Sequence, residues 1–374
     1  MQVDQIISIY TILYLCITYL GIILQGNIVI SLLREGYLIA LFFFLVSTQY
    51  KKLYVNKFHF YLDIYIVLNI YAVLKSANKS DAFLSFLMFM SGPLLFLLLS
   101  SFSFNKRVYQ QTRRRIKFLF SFFVLTSLVL YPFQEQFCAL INHDPKMLYR
   151  WGRDGHLWMR LGGLCLHPTT MGAVSIFLII NLWLIKERKK IFISLLSYYY
   201  TNTRTVLLGI PFAFFSYQSR KKKILLILLA SILLIGGVWF FFNFTFDPSA
   251  LIHFADVFVK GPLLVWENKS LFGIGHGMMS PYTLDSPFIH LESDFYITLM
   301  QVGYLGFFVY FVLCIGLIRV LKRDSNVYAR YCLYIFFIYN VGCIFFPLNT
   351  IRFISNYVWI ELGLYFSYRR SLCW

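Results

Sequence analysis

The strongest constraint on this chain is a series of apolar runs, each close to twenty residues long and punctuated by short basic segments. Residues 82–103 contain no charged side chain at all. Crossing about 30 Å of hydrocarbon takes about 20 apolar residues. On that criterion spans are expected at 6–24, 28–47, 58–74, 82–103, 118–133, 161–185, 191–200, 205–217, 224–243, 295–318, 331–346 and 353–368. The chain therefore reads as an all-α polytopic membrane protein of about 12 transmembrane helices, with both termini on one side. Only 13% of its residues are charged and 59% are hydrophobic. A water-soluble domain would carry about 25% charged residues. All of 1–374 is expected to form one membrane unit, with large outer loops at about 134–160 and 244–294.

The net charge of +18 would suggest nucleic acid if it were spread evenly. It is not. Of the 34 basic residues, 23 lie in the segments at 50–58, 105–117, 186–190, 220–223 and 319–330 and in the C-terminal tail. Setting the acids against them leaves +20 on that face, zero on the other and −2 within the spans. Such a split is the positive-inside bias, which places the basic loops and both termini in the cytoplasm. Nucleic acid is excluded as a partner, and membrane lipids are implied. Asp4, with no basic residue before the first apolar run, argues for a retained helix rather than a cleaved signal. The seven cysteines show no metal spacing, and only Cys138 and Cys165 are placed to meet outside.

Inside the spans polar residues are scarce. Arg34–Glu35 in the second span reads as a self-neutralising pair reaching the headgroups, with a substrate contact as the other reading. Asp63 and Glu361 are the only acids within span interiors, fewer than an ion-coupled pump would carry. The outer loop at 134–160 interleaves Lys146, Arg150, Arg153 and Arg160 with Tyr149, Trp151 and Trp158. Cations that hold phosphate and rings that stack on sugars would look like this, and so would an aromatic belt at the interface. Arg160 and His167 share one face if the sixth span is a continuous helix from 161, with Pro168 expected to kink it.

Residues 191–217 lie between two basic segments, which forbids a single pass. A hairpin embedded in the membrane is expected, its turn at 200–204 carrying Arg204. Ten residues of helix rise about 15 Å, so the turn would sit below the outer surface, where a cation needs an anionic partner.

Polar chemistry then gathers at 273–306, GIGHGMMSPYTLDSPFIHLESDFYITLMQVGYLG, where two histidines, two aspartates and a glutamate lead into an apolar helix. The glycines Gly273 and Gly275 have no strand–helix alternation around them, so they are not a dinucleotide fingerprint. They read as a turn that allows close backbone approach.

Four segments together resemble the O-antigen polymerase and O-antigen ligase superfamily. They are R-x-x-G-x-x-x-H-P at 160–168, T-x-T-R-T at 201–205, G-I-G at 273–275, and a polar cluster followed by Y-I-x-x-x-x-x-G-x-x-G at 296–306. The resemblance implies glycosyl transfer from an undecaprenyl-diphosphate-linked oligosaccharide at the periplasmic face of a bacterial inner membrane. It implies no metal and no cofactor, and a chain-length regulator is a candidate partner. In the polymerases the acceptor is a second lipid-linked repeat unit; in the ligases it is the lipid A core. Ligases carry histidine eleven residues before the first glycine of the last motif. Here that position is Glu292 and His290 is displaced by two, which favours a polymerase. A flippase for lipid-linked oligosaccharide is the rival of another class.

The chemistry assigns roles. A diphosphate leaving group needs cations, for which Arg160, Arg204 and Arg352 are the candidates. The acceptor hydroxyl needs a base, for which Glu292, Asp294 and His290 are candidates. The same three could instead bind sugar hydroxyls, and the two acids could instead pair with outer arginines. His167, Arg150, Arg153, Trp151 and Tyr296 are the candidate glycan contacts.

Overall fold

The computed structural model describes residues 3–23, 28–49, 57–141, 148–151, 157–201, 203, 209–210, 256–268, 270–276, 293–345 and 351–371. In chain order the helices are α1 (Val3–Ile23), α2 (Ile28–Gln49), α3 (Lys57–Lys75), α4 (Lys79–Ser100), α5 (Lys106–Leu130) and α6 (Gln134–Leu140). They continue as α7 (Pro168–Leu184), α8 (Arg188–Thr201), α9 (Gly261–Glu267), α10 (Asp294–Arg323), α11 (Val327–Phe345) and α12 (Arg352–Ser371). The only described strands, β1 (Tyr149–Trp151) and β2 (Leu157–Met159), form a small antiparallel ribbon with Arg150 opposite Trp158. Five described helical stretches are long and apolar enough to cross a membrane: Phe58–Lys75, Lys79–Ser100, Lys106–Leu140, Asp294–Arg323 and Val327–Ile344. The expected span at 224–243 lies outside the described residues, as does that at 205–217 apart from Gly209 and Ile210.

The centre of the bundle is α12, whose side chains from Phe353 to Tyr365 are all buried. A helix buried on every side has to be surrounded by other helices. Its main partner is α4, and small residues set their approach. A Cβ on Gly92 would run into the Trp359 ring, and one on Gly363 would sit 2.8 Å from Leu99 Cβ. Within a bilayer such close approach, plus polar side chains bonded across the seam, replaces the hydrophobic drive available in water. Here Ser91 Oγ donates to Asn356 Oδ1 at 2.8 Å, and Asn356 Nδ2 donates to the Tyr14 hydroxyl at 3.1 Å.

Ion pairs tie the loops together in two groups. At one end Lys117 and Lys190 hold Glu187 at 2.6 and 2.8 Å, Arg369 holds Asp324 at 3.3 Å, and Arg370 donates to Ser101 O. At the other end Lys75 Nζ donates to Gly273 O at 2.5 Å and Arg352 pairs with Glu35 at 2.5 Å.

Three expectations need correction. The fifth helix begins at Lys106 rather than 118, so the basic segment ahead of it is itself helical. That places Arg113 inside the bundle, 3.3 Å from the buried Glu361 and over the Tyr328 and Tyr331 rings at 4.8 and 4.5 Å. Second, 160–167 is not helix: α7 starts at Pro168, where the missing N–H costs nothing, so the proline opens the helix instead of kinking it. Third, α10 is broken at Gly303, whose φ of 73° and ψ of −175° lie far from helical values.

Candidate functional site

The segment carrying Arg160 is held from several sides. Arg160 N–H donates to Leu148 O at 2.6 Å, continuing the ribbon by one residue. Gln134, buried at the start of α6, donates through Nε2 to Arg160 O at 2.6 Å. Its Oε1 accepts from the N–H groups of Gly162 and Gly163 at 3.1 and 3.2 Å. Non-helical backbone buried in a membrane bundle must find such partners, and one amide side chain satisfies three groups here. Gly163 has φ 49° and packs where any Cβ would overlap Ser127, whose hydroxyl accepts from Leu164 N–H. Nothing in the local pattern of the sequence announces Gln134 or Ser127; their partners lie 26 to 37 residues away.

Arg160 itself reaches across to the end of α8. Its Nε donates to Thr201 O at 3.0 Å and Nη2 approaches Thr203 Oγ1 at 3.4 Å. Leu161 N–H donates to Tyr200 O at 2.9 Å. The last carbonyls of a helix have no partner within it and carry partial negative charge, so a guanidinium there is favourable. Thr203 then ties back through its hydroxyl to Pro168 O at 3.1 Å, and Gly172 leaves room for Thr201 and Thr203 against α7. The 160–168 and 201–203 segments, more than thirty residues apart, thus form one contact. Arg204 follows directly in the chain and lies outside the described residues, as do Arg153, His290 and Glu292. His167 sits half-buried as the residue capping α7, with extended backbone. Because the helix is not continuous, it does not share a helical face with Arg160. Arg150 and Trp151 lie in β1.

A second pair of segments joins at the break in α10. Ile274 N–H donates to Met300 O at 2.8 Å and Gly275 N–H to Gln301 O at 3.3 Å. On the far side of the break, Tyr304 N–H donates to Ser270 O and Leu305 N–H to Leu271 O at 3.2 and 3.0 Å. The 270–275 segment therefore supplies the donors and acceptors that the helix loses at Gly303. Gly273 and Gly303 face each other, both at positive φ, and a Cβ on either would overlap the other segment's backbone. This is the physical reason for glycine at both places.

The same segment is anchored by His276, which sequence reasoning did not single out. It is fully buried, with Nε2 2.9 Å from Asn69 Oδ1 and Nδ1 3.4 Å from Ser85 Oγ. Asn69 Nδ2 donates to Tyr65 O, so its Oδ1 is the acceptor and His276 carries its proton on Nε2. Gln301 Nε2 donates in turn to Ser85 Oγ at 3.2 Å. Burial holds the imidazole neutral, pushing its pKa down to about 3.

The remaining candidates are placed apart. Asp294 opens α10 and is buried, beside Cys343 and Tyr339 of α11. Tyr296 packs over Gly261 of α9. Arg352, at the start of α12, is paired with Glu35, whereas Arg160 donates to Thr201 O. Arg34 Nη2 meets the same Glu35 oxygen at 2.9 Å, so the two neighbours do pair, and both side chains are largely buried. Cys138 and Cys165 are free thiols.

No protein-family model matches this chain, and neither the curated proteins nor the solved structures contain a match.

Proposed function

We propose that the protein polymerises lipid-linked oligosaccharide repeat units of a bacterial surface polysaccharide, by glycosyl transfer from undecaprenyl diphosphate at the periplasmic face of the inner membrane. On this reading it is a multi-pass enzyme of about 12 spans with cytoplasmic termini, working without metal. The observation that carries it is the contact between Arg160 and the Thr201–Thr203 turn. It brings together two of the four segments on which the family resemblance rests. The join between 273–275 and 300–305 does the same for the other two. Arg160 fixes the turn from which Arg204 follows, so the diphosphate clamp falls to Arg204, with Arg160 as its support.

The test is a deletion strain. A single repeat unit attached to the lipid A core means polymerase, whereas polymer left on the carrier with a bare core means ligase. Lipid-linked repeat units trapped on the cytoplasmic side would mean flippase. In the same strain Arg204→Ala is expected to abolish long chains while the protein still accumulates. Wild-type chain lengths in that variant would sink the clamp.

A further inference from the structure

Outside the Arg160 region, the end of the bundle that carries Lys75 and Gly273 holds a second cationic cluster. Arg34 lies six residues beyond Ile28, about 9 Å along α2 from the start of that helix. Arg34 Nε and Nη2 meet Glu35 Oε1 at 3.0 and 2.9 Å, and Arg352 Nη1 meets the same oxygen at 2.5 Å. Two guanidiniums thus share one carboxylate, leaving a net single positive charge. A guanidinium carries five N–H donors. Glu35 takes two from Arg34 and one from Arg352, so most of both forks stays unused by it. Holding an excess cation in a membrane is expensive, and where it persists an anionic partner is the usual reason.

The cluster belongs to the same end of the molecule as Arg160. Phe353, next to Arg352, lies 6.2 Å from the Tyr19 ring, and the Tyr19 hydroxyl donates to Leu164 O at 2.9 Å. Arg160 is committed to the end of α8, so the two clusters are separate.

We propose that Arg34 and Arg352 form a second diphosphate site, with Glu35 as the resident carboxylate that holds the two forks side by side. The anion chemistry stands on the geometry alone. Naming the ligand as an isoprenoid diphosphate rests on the polymerase reading, in which donor and acceptor each carry a lipid diphosphate. One cluster then serves each lipid.

The test uses the full-length protein in neutral-lipid nanodiscs, titrated with farnesyl diphosphate and read by native mass spectrometry. Wild type is expected to bind two equivalents. Arg34→Gln with Arg352→Gln is expected to lose one, its affinity falling at least tenfold, while thermal unfolding reports that the fold persists. Glu35→Gln keeps a side-chain oxygen that can accept from both forks while removing the competing charge, and is expected to tighten that site several-fold, which a merely damaged bundle would not do. A single equivalent in wild type overturns the proposal, as does unchanged binding in the double variant or weaker binding in Glu35→Gln. Equal competition by phosphatidylglycerol assigns the cluster to bulk lipid and overturns it too; inorganic pyrophosphate that competes only at much higher concentration supports it. Because the readout is binding, a failed deletion phenotype would remove the polymerase reading and leave this result standing.

Discussion

His276 shows how a single buried side chain can make a loop sensitive to pH. Its neutral form is matched by Asn69, Ser85 and, one bond further, Gln301. The charged groups nearest this junction in sequence on the two packed helices have other partners: Lys75 of α3 donates to Gly273 O, Lys79 of α4 to Ser76 O, and Asp81 of α4 accepts from Asn78 Nδ2. Burial lowers the folded pKa to about 3, against 6.5 for a free imidazole. The docking free energy is therefore whole above pH about 6.5 and falls as the pH drops from there toward 3. Each unit in that window costs about 1.4 kcal/mol. Protection factors for hydrogen exchange at 270–276, corrected for the intrinsic pH dependence of exchange, should fall between pH 7 and 5 in wild type, and the fall should vanish in His276→Gln. Equal pH dependence in both would exclude the histidine as the cause. At this scale the sequence marked His276 only as one of several polar residues; that it is an anchor depends on Asn69 and Ser85, about two hundred residues away in the chain.

Among the elements, the break in α10 is the instructive one. Hydropathy predicts one continuous span at 295–318, and the helix does run through that region. What hydropathy does not register is that Gly303 turns the backbone and that 270–275 repairs the lost bonds. A Gly303→Ala change meets both a positive φ and the backbone of Gly273, with no flexible side chain to give way. It is expected to destabilise the fold by about 3 kcal/mol or more, or to stop the protein accumulating. Thermal unfolding in detergent checks this; a variant within about 0.5 kcal/mol of wild type would mean the break is not required. The α7 boundary carries a similar lesson. Hydrophobicity extends back to 161, yet 160–167 folds as irregular backbone because Gln134 and Ser127 supply its hydrogen bonds.

For the molecule as a whole, the Arg113–Glu361 pair ties α5 to the central helix. Removing one partner leaves an unmatched charge within the bundle, which is expected to cost about 3–5 kcal/mol. Replacing both with apolar residues of similar size should cost little, since the desolvation penalty disappears with the charges. Arg113→Met and Glu361→Leu are each expected to lower the unfolding midpoint sharply, and the double variant to recover most of it. Additive losses would show that the two act independently. The pair also marks where sequence reading ends. Apolar length and the scarcity of charge within it determined that the chain is helical, with helices long and apolar enough to cross a membrane. Both are one-dimensional properties set by the cost of hydrocarbon to polar groups. The tertiary structure decided the rest: Arg113 belongs inside the bundle, Arg352 is engaged by Glu35, and two glycines thirty residues apart close one junction. Those outcomes depend on which polar groups meet once the helices pack, because a buried charge or an open backbone bond is stable only beside its partner.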